Sequence, residues 1–226
     1  MKYLQKNLES LLNLQLEIGK DEAMSKQGLS EIVFLLDRSG SMASIKSDVI
    51  GGFNQFLEDQ KKVPGEAIFT LVQFDSDIPH ELVHSRVPLL TVSNLTDDTF
   101  QPRSWTPLYD AVGWTIDYLG KEIEKLSEEE RPEIVIFAIL TDGLENASKE
   151  YTKDGVFNRV RHQQDKYNWK FVYLGANQDA MAESQKLGIQ LDPLANNVIG
   201  YAATSVGTRQ AFASGTQSTT LYRNSK

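Results

Sequence analysis

Hydrophobic and polar residues follow two different periods along this chain, and the two periods alternate. Short apolar runs rich in β-branched residues are typical of strands buried on both faces of a parallel sheet, and they occur at residues 31–36, 134–140 and 169–174. Two further runs predict a pair of strands joined by a tight turn, at residues 67–74 and 82–89. Apolar residues at helical spacing predict helices at residues 44–60, 107–126, 156–166, 180–187 and 197–213.

The order of these elements predicts one main domain that follows an N-terminal helix. Strands that alternate with helices predict an α/β fold, with a doubly wound, mostly parallel central sheet, one antiparallel edge strand and helices on both faces. Leucines at helical spacing in residues 2–18 predict an amphipathic helix, and residues 19–30 follow as a polar connector. We therefore assign residues 1–29 to the helix and connector and residues 30–226 to the main domain. The helix either packs on the domain or docks to a partner.

Composition excludes several classes of function. The 226 residues contain no cysteine, so disulfides, thiolate metal sites and cysteine nucleophiles are excluded. A formal net charge of −8 argues against a general nucleic-acid binder. No apolar run reaches the roughly 18 residues that cross a membrane, and polar residues interrupt the N-terminal leucines, which argues against a signal peptide. We therefore expect a cytoplasmic protein with neither nucleic acid nor membrane as its partner.

Side chains with oxygen atoms follow the ends of two predicted strands. Asp37, Ser39 and Ser41 come directly after the first buried run, and Asp142 follows the central one. Thr106 precedes a predicted helix, which it can cap. Ligands of doubly wound sheets bind beyond the carboxyl ends of the strands, so these side chains converge if the two strands are neighbours. Hard oxygen ligands suit Mg²⁺, and also Mn²⁺ or Ca²⁺, so the sequence predicts a divalent-cation site.

In these segments the sequence resembles the von Willebrand factor A-domain family. Asp37, Ser39 and Ser41 match the family's Asp-x-Ser-x-Ser element, Thr106 matches its separate threonine, and Asp142 matches its later aspartate. Together they resemble the metal-ion-dependent adhesion site, or MIDAS. The resemblance implies that the three hydroxyls bind the metal directly, whereas the two aspartates bind it directly or through water. One coordination position then stays open for an Asp or Glu carboxylate of a partner protein.

The resemblance also implies a biological setting. It covers about residues 30–190, and the cysteine-free Asp-Arg-Ser-Gly-Ser-Met string looks like the intracellular bacterial or phage branch of the family. We therefore expect a non-enzymatic, cation-dependent adaptor. Members of this branch often work beside AAA-type ATPases, kinases or phosphatases, which is the expectation for the partner system here.

Four residues are candidates for the rim of the predicted metal site, namely Trp105, Asp75, Asp77 and Glu145. Trp105 could contact a ligand or only pack, and packing is favoured. Asp75 and Asp77 belong to the predicted turn at the same sheet edge, where a solvated turn is favoured over a role in tuning the charge of the site. Glu145 follows Asp142 closely and is expected to contribute to the rim.

A second motif predicts a different chemistry. His80 and His84 belong to a literal H-E-x-x-H string, which in zinc peptidases places two zinc ligands on one helical turn. Here the string lies between Pro79 and Pro88, in a predicted strand, where the two histidines would be about 13 Å apart. A zinc-dependent peptidase is therefore an alternative with little support.

Two further alternatives stay open. The oxygen-rich site could serve a metal-assisted hydrolase, although the sequence shows no evident base or nucleophile beside it. The chain could also be a structural assembly subunit that associates through the helix predicted at residues 2–18.

Overall fold

A single central sheet organises the chain in this computed structural model, which describes residues 26–177 and 179–225. The strands are β1 (Lys26–Asp37), β2 (Ala67–Phe74), β3 (Glu81–Pro88), β4 (Pro132–Thr141), β5 (Lys170–Ala176) and β6 (Val198–Tyr201). The helices are α1 (Lys46–Lys62), α2 (Leu108–Glu124), α3 (Lys153–Tyr167), α4 (Ala180–Lys186) and α5 (Ser205–Asn224). The amphipathic helix predicted at residues 2–18 lies outside the described residues.

The strand order is β3-β2-β1-β4-β5-β6. β1 pairs in parallel with β2 on one side and with β4 on the other, and the parallel pairing continues through β5 to β6. β3 alone in this sheet runs antiparallel, at the edge beside β2. The predicted fold class is therefore confirmed: the chain has a doubly wound, mostly parallel sheet with one antiparallel edge strand.

Alternate residues of β1 explain why helices cover both faces of the sheet. Ile32, Phe34 and Leu36 belong to one apolar core, which also contains buried residues of α1 and α5. Val33 and Leu35 belong to the other core, which contains buried residues of α2, α3 and α4. Since successive side chains of a strand point to opposite faces, a strand that is apolar throughout must be covered twice.

Two predicted boundaries are wrong. β1 begins at Lys26, so the last residues of the predicted polar connector belong to the sheet. The helix predicted at residues 197–213 is instead the short strand β6 followed by α5. Thr204 separates them, because its side-chain oxygen accepts a hydrogen bond from the Gly207 N–H and caps α5. A four-residue strand is too short for periodicity to distinguish it from part of a helix.

Candidate metal centre

The sheet reverses its strand order at β1. The next strand along the chain, β2, lies on one side of β1, and β4 lies on the other. Asp37 is the last residue of β1, and Asp142 directly follows β4. The two aspartates therefore lie at the carboxyl edge of neighbouring parallel strands, which is where ligands bind in sheets of this topology.

Asp37 is fully buried, and both of its carboxylate oxygens accept hydrogen bonds. The Ser39 N–H donates to Oδ1 at 2.7 Å, and the Thr141 hydroxyl donates to Oδ2 at 2.5 Å. Asp37 thus connects the loop after β1 to the end of β4. It orients the loop of Ser39 and Ser41 from the buried side of the cluster and is not exposed to solvent.

Ser39, Ser41 and Asp142 form a continuous chain of oxygen atoms. The two serine Oγ atoms lie 3.1 Å apart, and the Ser41 hydroxyl donates to Asp142 Oδ1 at 2.6 Å. Ser39 and Asp142 are buried, whereas Ser41 is exposed. The cluster therefore opens to solvent on the side of Ser41.

Thr106 reaches the same cluster from a third loop. Its N–H donates to Asn146 Oδ1 at 2.8 Å, and its carbonyl accepts from the Asn146 N–H at 3.1 Å. A methyl group at Gly143 would lie 3.1 Å from Thr106 Oγ1 and 3.8 Å from Ser41 Oγ. The missing side chain of Gly143 thus leaves room between the two hydroxyls. The structure brings all five predicted ligand residues to one place.

The charge of this cluster is only partly compensated by protein groups. Burial raises the pKa of Asp37 to about 7, against the lowering effect of the hydrogen bonds from Thr141 and Ser39. Burial also raises the pKa of Asp142, and the hydrogen bond from Ser41 opposes the change. These carboxylates accept hydrogen bonds from hydroxyls and from backbone N–H groups, and a cation would favour their ionised forms.

Asp75 is buried and paired with two arginines, so its predicted place in a solvated turn is wrong. It is fully buried at the end of β2, where its Oδ2 accepts from Arg38 Nε at 2.8 Å and from Arg103 Nε at 3.1 Å. Arg38 also pairs with Glu81. Asp75 is therefore the centre of an ion-pair network that ties the loop after β1 to the loop before Thr106.

Glu145 caps helix α2 with its carboxylate. Its Oε2 accepts the Tyr109 N–H at 2.9 Å, and its Oε1 accepts the N–H of Ser148 at 2.7 Å. The Ser148 hydroxyl accepts the next N–H of α2, that of Asp110. The prediction that Thr106 caps this helix is therefore wrong, since Glu145 and Ser148 have that role.

Trp105 and Asp77 are exposed. The Trp105 side chain is 67% exposed, so the interpretation that it packs is wrong. Its assignment to the rim stays a prediction. The Asp77 carboxylate is 59% exposed and lies 3.8 Å from Arg103 Nε, which agrees with a solvated turn.

The H-E-x-x-H string lies at the beginning of an edge strand and not on a helix. β3 begins at Glu81, and His84 faces Leu71 of β2 in the register. The His80 ring instead stacks on Trp114, with ring centroids 4.3 Å apart. The helical turn that a zinc peptidase requires is therefore missing from this string.

Within residues 26–177 and 179–225, no three His, Asp or Glu side chains are grouped to hold a metal ion, so the hydroxyls of the centre above are essential to its donor set.

No protein-family profile and no curated protein sequence matches the chain. Solved structures are similar to it in fold. Proximal thread matrix protein 1 from the mussel byssus has a TM-score of 0.55 and 13% identity over 86% of this chain. A structure of that protein with a zinc-occupied MIDAS motif has a TM-score of 0.57 and 14% identity over 87% of this chain. A von Willebrand factor type A structure from Catenulispora acidiphila has a TM-score of 0.50 and 10% identity over 83% of this chain.

The chain has the fold of a von Willebrand factor type A domain. It covers 47% of the mussel protein chain and 42% of the Catenulispora chain, so it spans less than half of each.

Among the residues that the structure describes, no helix combines the length and the apolar character needed to cross a membrane.

Sequence reasoning missed two residues of the centre. Thr141 binds Asp37, and Gly143 leaves the space between Thr106 and Ser41. Both flank Asp142 in the sequence, which was the one signal available. Neither role could be assigned without knowing that the ends of β1 and β4 are adjacent.

Proposed function

We propose that this domain is a divalent-cation-dependent protein-binding module, with Mg²⁺ as the cation. The observation that carries the proposal is the cluster at the carboxyl edge of β1 and β4. There, three hydroxyls and two carboxylates lie together and open to solvent at Ser41. The zinc-occupied MIDAS motif of the mussel protein supports a divalent cation in this type of fold.

The donor set fits a hard cation. Ser39, Ser41 and Thr106 would provide neutral hydroxyl oxygens, and Asp142 would hold the cation directly or through water. Asp37 would act through the groups it orients, because both of its oxygens already accept hydrogen bonds. Oxygen donors in this number suit Mg²⁺, which commonly retains several waters.

A partner carboxylate is the ligand that such a centre attracts. Neutral hydroxyls would provide most of the direct donors, and Asp37 would act only through the groups it orients. Asp142 alone then leaves a divalent cation with uncompensated positive charge, so an Asp or Glu side chain of another protein would complete the coordination. We propose recognition without turnover and an adaptor role, since the residues around the cluster that could act as a base are occupied. Glu145 caps α2, and Asp75 is held by two arginines.

Calorimetric titration with Mg²⁺ tests the proposal directly. We expect the wild-type protein to bind one Mg²⁺ and Asp142→Ala to weaken binding by about 100-fold or more, because changes to groups that only orient metal ligands already cost 10- to 100-fold. Asp77→Ala is the matched control, since it removes an exposed carboxylate from the same sheet edge. Equal Mg²⁺ affinity in all three proteins would refute the site.

Zn²⁺ serves as the comparison ion in the same experiment. Tight Zn²⁺ binding that is lost in His80→Ala and His84→Ala, with no Mg²⁺ binding, would favour the peptidase alternative. We expect Zn²⁺ binding that depends on Asp142 instead.

Gly143→Ala should reduce the Mg²⁺ affinity by about tenfold without unfolding the domain. The added methyl group would lie 3.1 Å from Thr106 Oγ1, so this hydroxyl must move by a few tenths of an ångström. A small displacement of one ligand is costly for Mg²⁺, which demands near-ideal octahedral geometry. Thermal unfolding in chelator, compared with the Mg²⁺ titration, separates the two effects. Unchanged affinity would show that Thr106 is not a ligand.

A further inference from the structure

Three large apolar side chains are exposed on the loops around the candidate metal centre. They are Trp105 (67% exposed), Leu144 (53%) and Ile78 (41%). Trp105 directly precedes Thr106, and Leu144 directly follows Gly143. Burial of an aromatic side chain of this size is favourable, so an exposed tryptophan directly before a candidate ligand residue is a candidate contact for a partner.

Backbone hydrogen bonds hold the three loops against one another. The Ser76 N–H donates to the Trp105 carbonyl at 3.0 Å, and the Trp105 N–H donates to Ser76 Oγ at 3.1 Å. The Asp75 N–H donates to the Ile78 carbonyl within the same turn. The loop that carries Trp105 is therefore fixed to the turn that carries Ile78.

The loop of Leu144 is fixed to the same framework. Thr106 and Asn146 exchange the two hydrogen bonds described above, and a methyl group at Gly143 would contact Thr106. Trp105 and Leu144 are thus the sequence neighbours of two residues that lie side by side at the metal centre.

The backbone beside Trp105 adopts a conformation that costs free energy. Ser104 has a φ angle of 56°, in the left-handed region that non-glycine residues rarely adopt. Its carbonyl accepts the Gly40 N–H at 3.0 Å, so the strained residue is tied to the loop of Ser39 and Ser41. Such strain collects at functional sites and persists where the surrounding structure enforces it. Here it fixes the backbone of the loop in which Trp105 follows.

The basic side chain of Arg103, on the same loop as Trp105, already has acidic partners. Arg103 pairs with Asp75 and lies near Asp77, so its guanidinium offers little excess positive charge to a polyacidic ligand. Apart from the cation, the three exposed apolar side chains are therefore the contacts of this rim that we consider for a ligand.

We infer that the partner segment presents an acidic residue flanked by bulky apolar side chains, with the carboxylate at the cation and the apolar side chains on Trp105, Leu144 and Ile78. This inference rests on the proposed function and specifies the partner of the same site. Fixed aromatic side chains at the centre of an interface typically dominate binding, because they bury a large area at low entropic cost.

Selection from a displayed library of random short peptides with one fixed central aspartate tests the inference. We expect the wild-type domain to retain peptides in Mg²⁺, to release them in chelator, and to enrich aromatic or large aliphatic residues next to the aspartate. The best synthetic peptide should bind Trp105→Ala about 10- to 100-fold more weakly, and Trp105→Phe should restore most of the affinity.

Leu90→Ala is the matched control for loss of an exposed apolar side chain. Leu90 is 76% exposed, and it follows β3 at the opposite edge of the sheet from the metal centre. The Leu90→Ala variant should bind the peptide with wild-type affinity. Each variant should also keep wild-type Mg²⁺ affinity, which shows that the metal centre is intact.

The outcomes separate the inference from the proposed function. Chelator-sensitive selection with no preference beside the aspartate, or equal peptide affinity in Trp105→Ala, would overturn the inference and leave the proposed function standing. Selection that yields no chelator-sensitive peptide would overturn both. If calorimetry then still detected Mg²⁺ binding, the cation site would stand and its role in protein binding would not.

Discussion

Asp75→Ala is expected to lower the free energy of unfolding by about 3 kcal/mol, because it leaves a buried guanidinium without its main partner. The Arg38 side chain is 6% exposed, and its Nε lies 2.8 Å from Asp75 Oδ2. Removing one member of a buried ion pair costs much more than the pair contributes, since the remaining charge stays desolvated. The remaining contact of Arg38 with Glu81 keeps the expected loss at the lower end of the usual range.

Urea denaturation measures this loss, and Asp77→Ala provides the control. Both variants remove one carboxylate from the same turn, but the Asp77 carboxylate is largely exposed. We expect Asp77→Ala to change stability by less than about 0.5 kcal/mol, as surface ion pairs usually do. Similar losses in the two variants would show that the network around Asp75 does not stabilise the fold.

The same substitution should weaken Mg²⁺ binding. Arg38 lies between Asp37 and Ser39, and its N–H donates to the Phe74 carbonyl at 2.8 Å. Arg103 donates its backbone N–H to the Arg38 carbonyl at 2.8 Å, so the network holds the serine loop against the loop of Thr106. Without Asp75 we expect the affinity for Mg²⁺ to fall by about tenfold. The titration is made without urea, where the variant is still folded.

Gly52→Ala is expected to destabilise the domain by about 2 kcal/mol, although alanine is the better helix former. A methyl group at Gly52 would lie 2.2 Å from Phe212 Cδ2, and the Phe212 ring is buried against Phe34. The overlap must push α1 away from α5 or turn the Phe212 side chain out of its place. For a domain of this size the loss corresponds to a fall in Tm of about 4–8 °C.

Gly51→Ala is the control, with the opposite expected sign. Gly51 precedes Gly52 in α1 and has no atom within 4 Å of the added methyl group. The Gly51→Ala variant should therefore be more stable by about 0.5–1 kcal/mol, because alanine favours a helix over glycine. Calorimetric unfolding of the two variants checks the pair. An equal rise in Tm for both would mean that α5 does not pack against α1 in the folded protein.

The hydrophobic pattern predicted most strands and helices because periodicity is a local property of the chain. The apolar run before Asp37 predicted a strand buried on both faces, and the two cores on either side of β1 confirm it. The pattern failed where length was insufficient, at β6, which has four residues. It also gave no indication that Gly52 must lack a side chain, since that requirement comes from Phe212, 160 positions later in the chain.

The candidate site divides in the same way. The sequence by itself determined that Asp37 and Asp142 lie at the ends of predicted strands, because the order of residues along the chain is enough to show this. Tertiary structure decided which of the nearby acidic residues are engaged by other protein groups. Asp75 and Glu145 were rim candidates, yet one is neutralised by Arg38 and Arg103 and the other caps α2.

Exposure was likewise a tertiary outcome. Trp105 would pack or stay exposed depending on which loop lies opposite. Here its backbone is hydrogen-bonded to Ser76, and its side chain is 67% exposed. The physical reason is that hydrophobic periodicity and strand ends are encoded by neighbouring residues. Burial, charge pairing and solvent exposure depend instead on distant segments that only the folded sheet brings together.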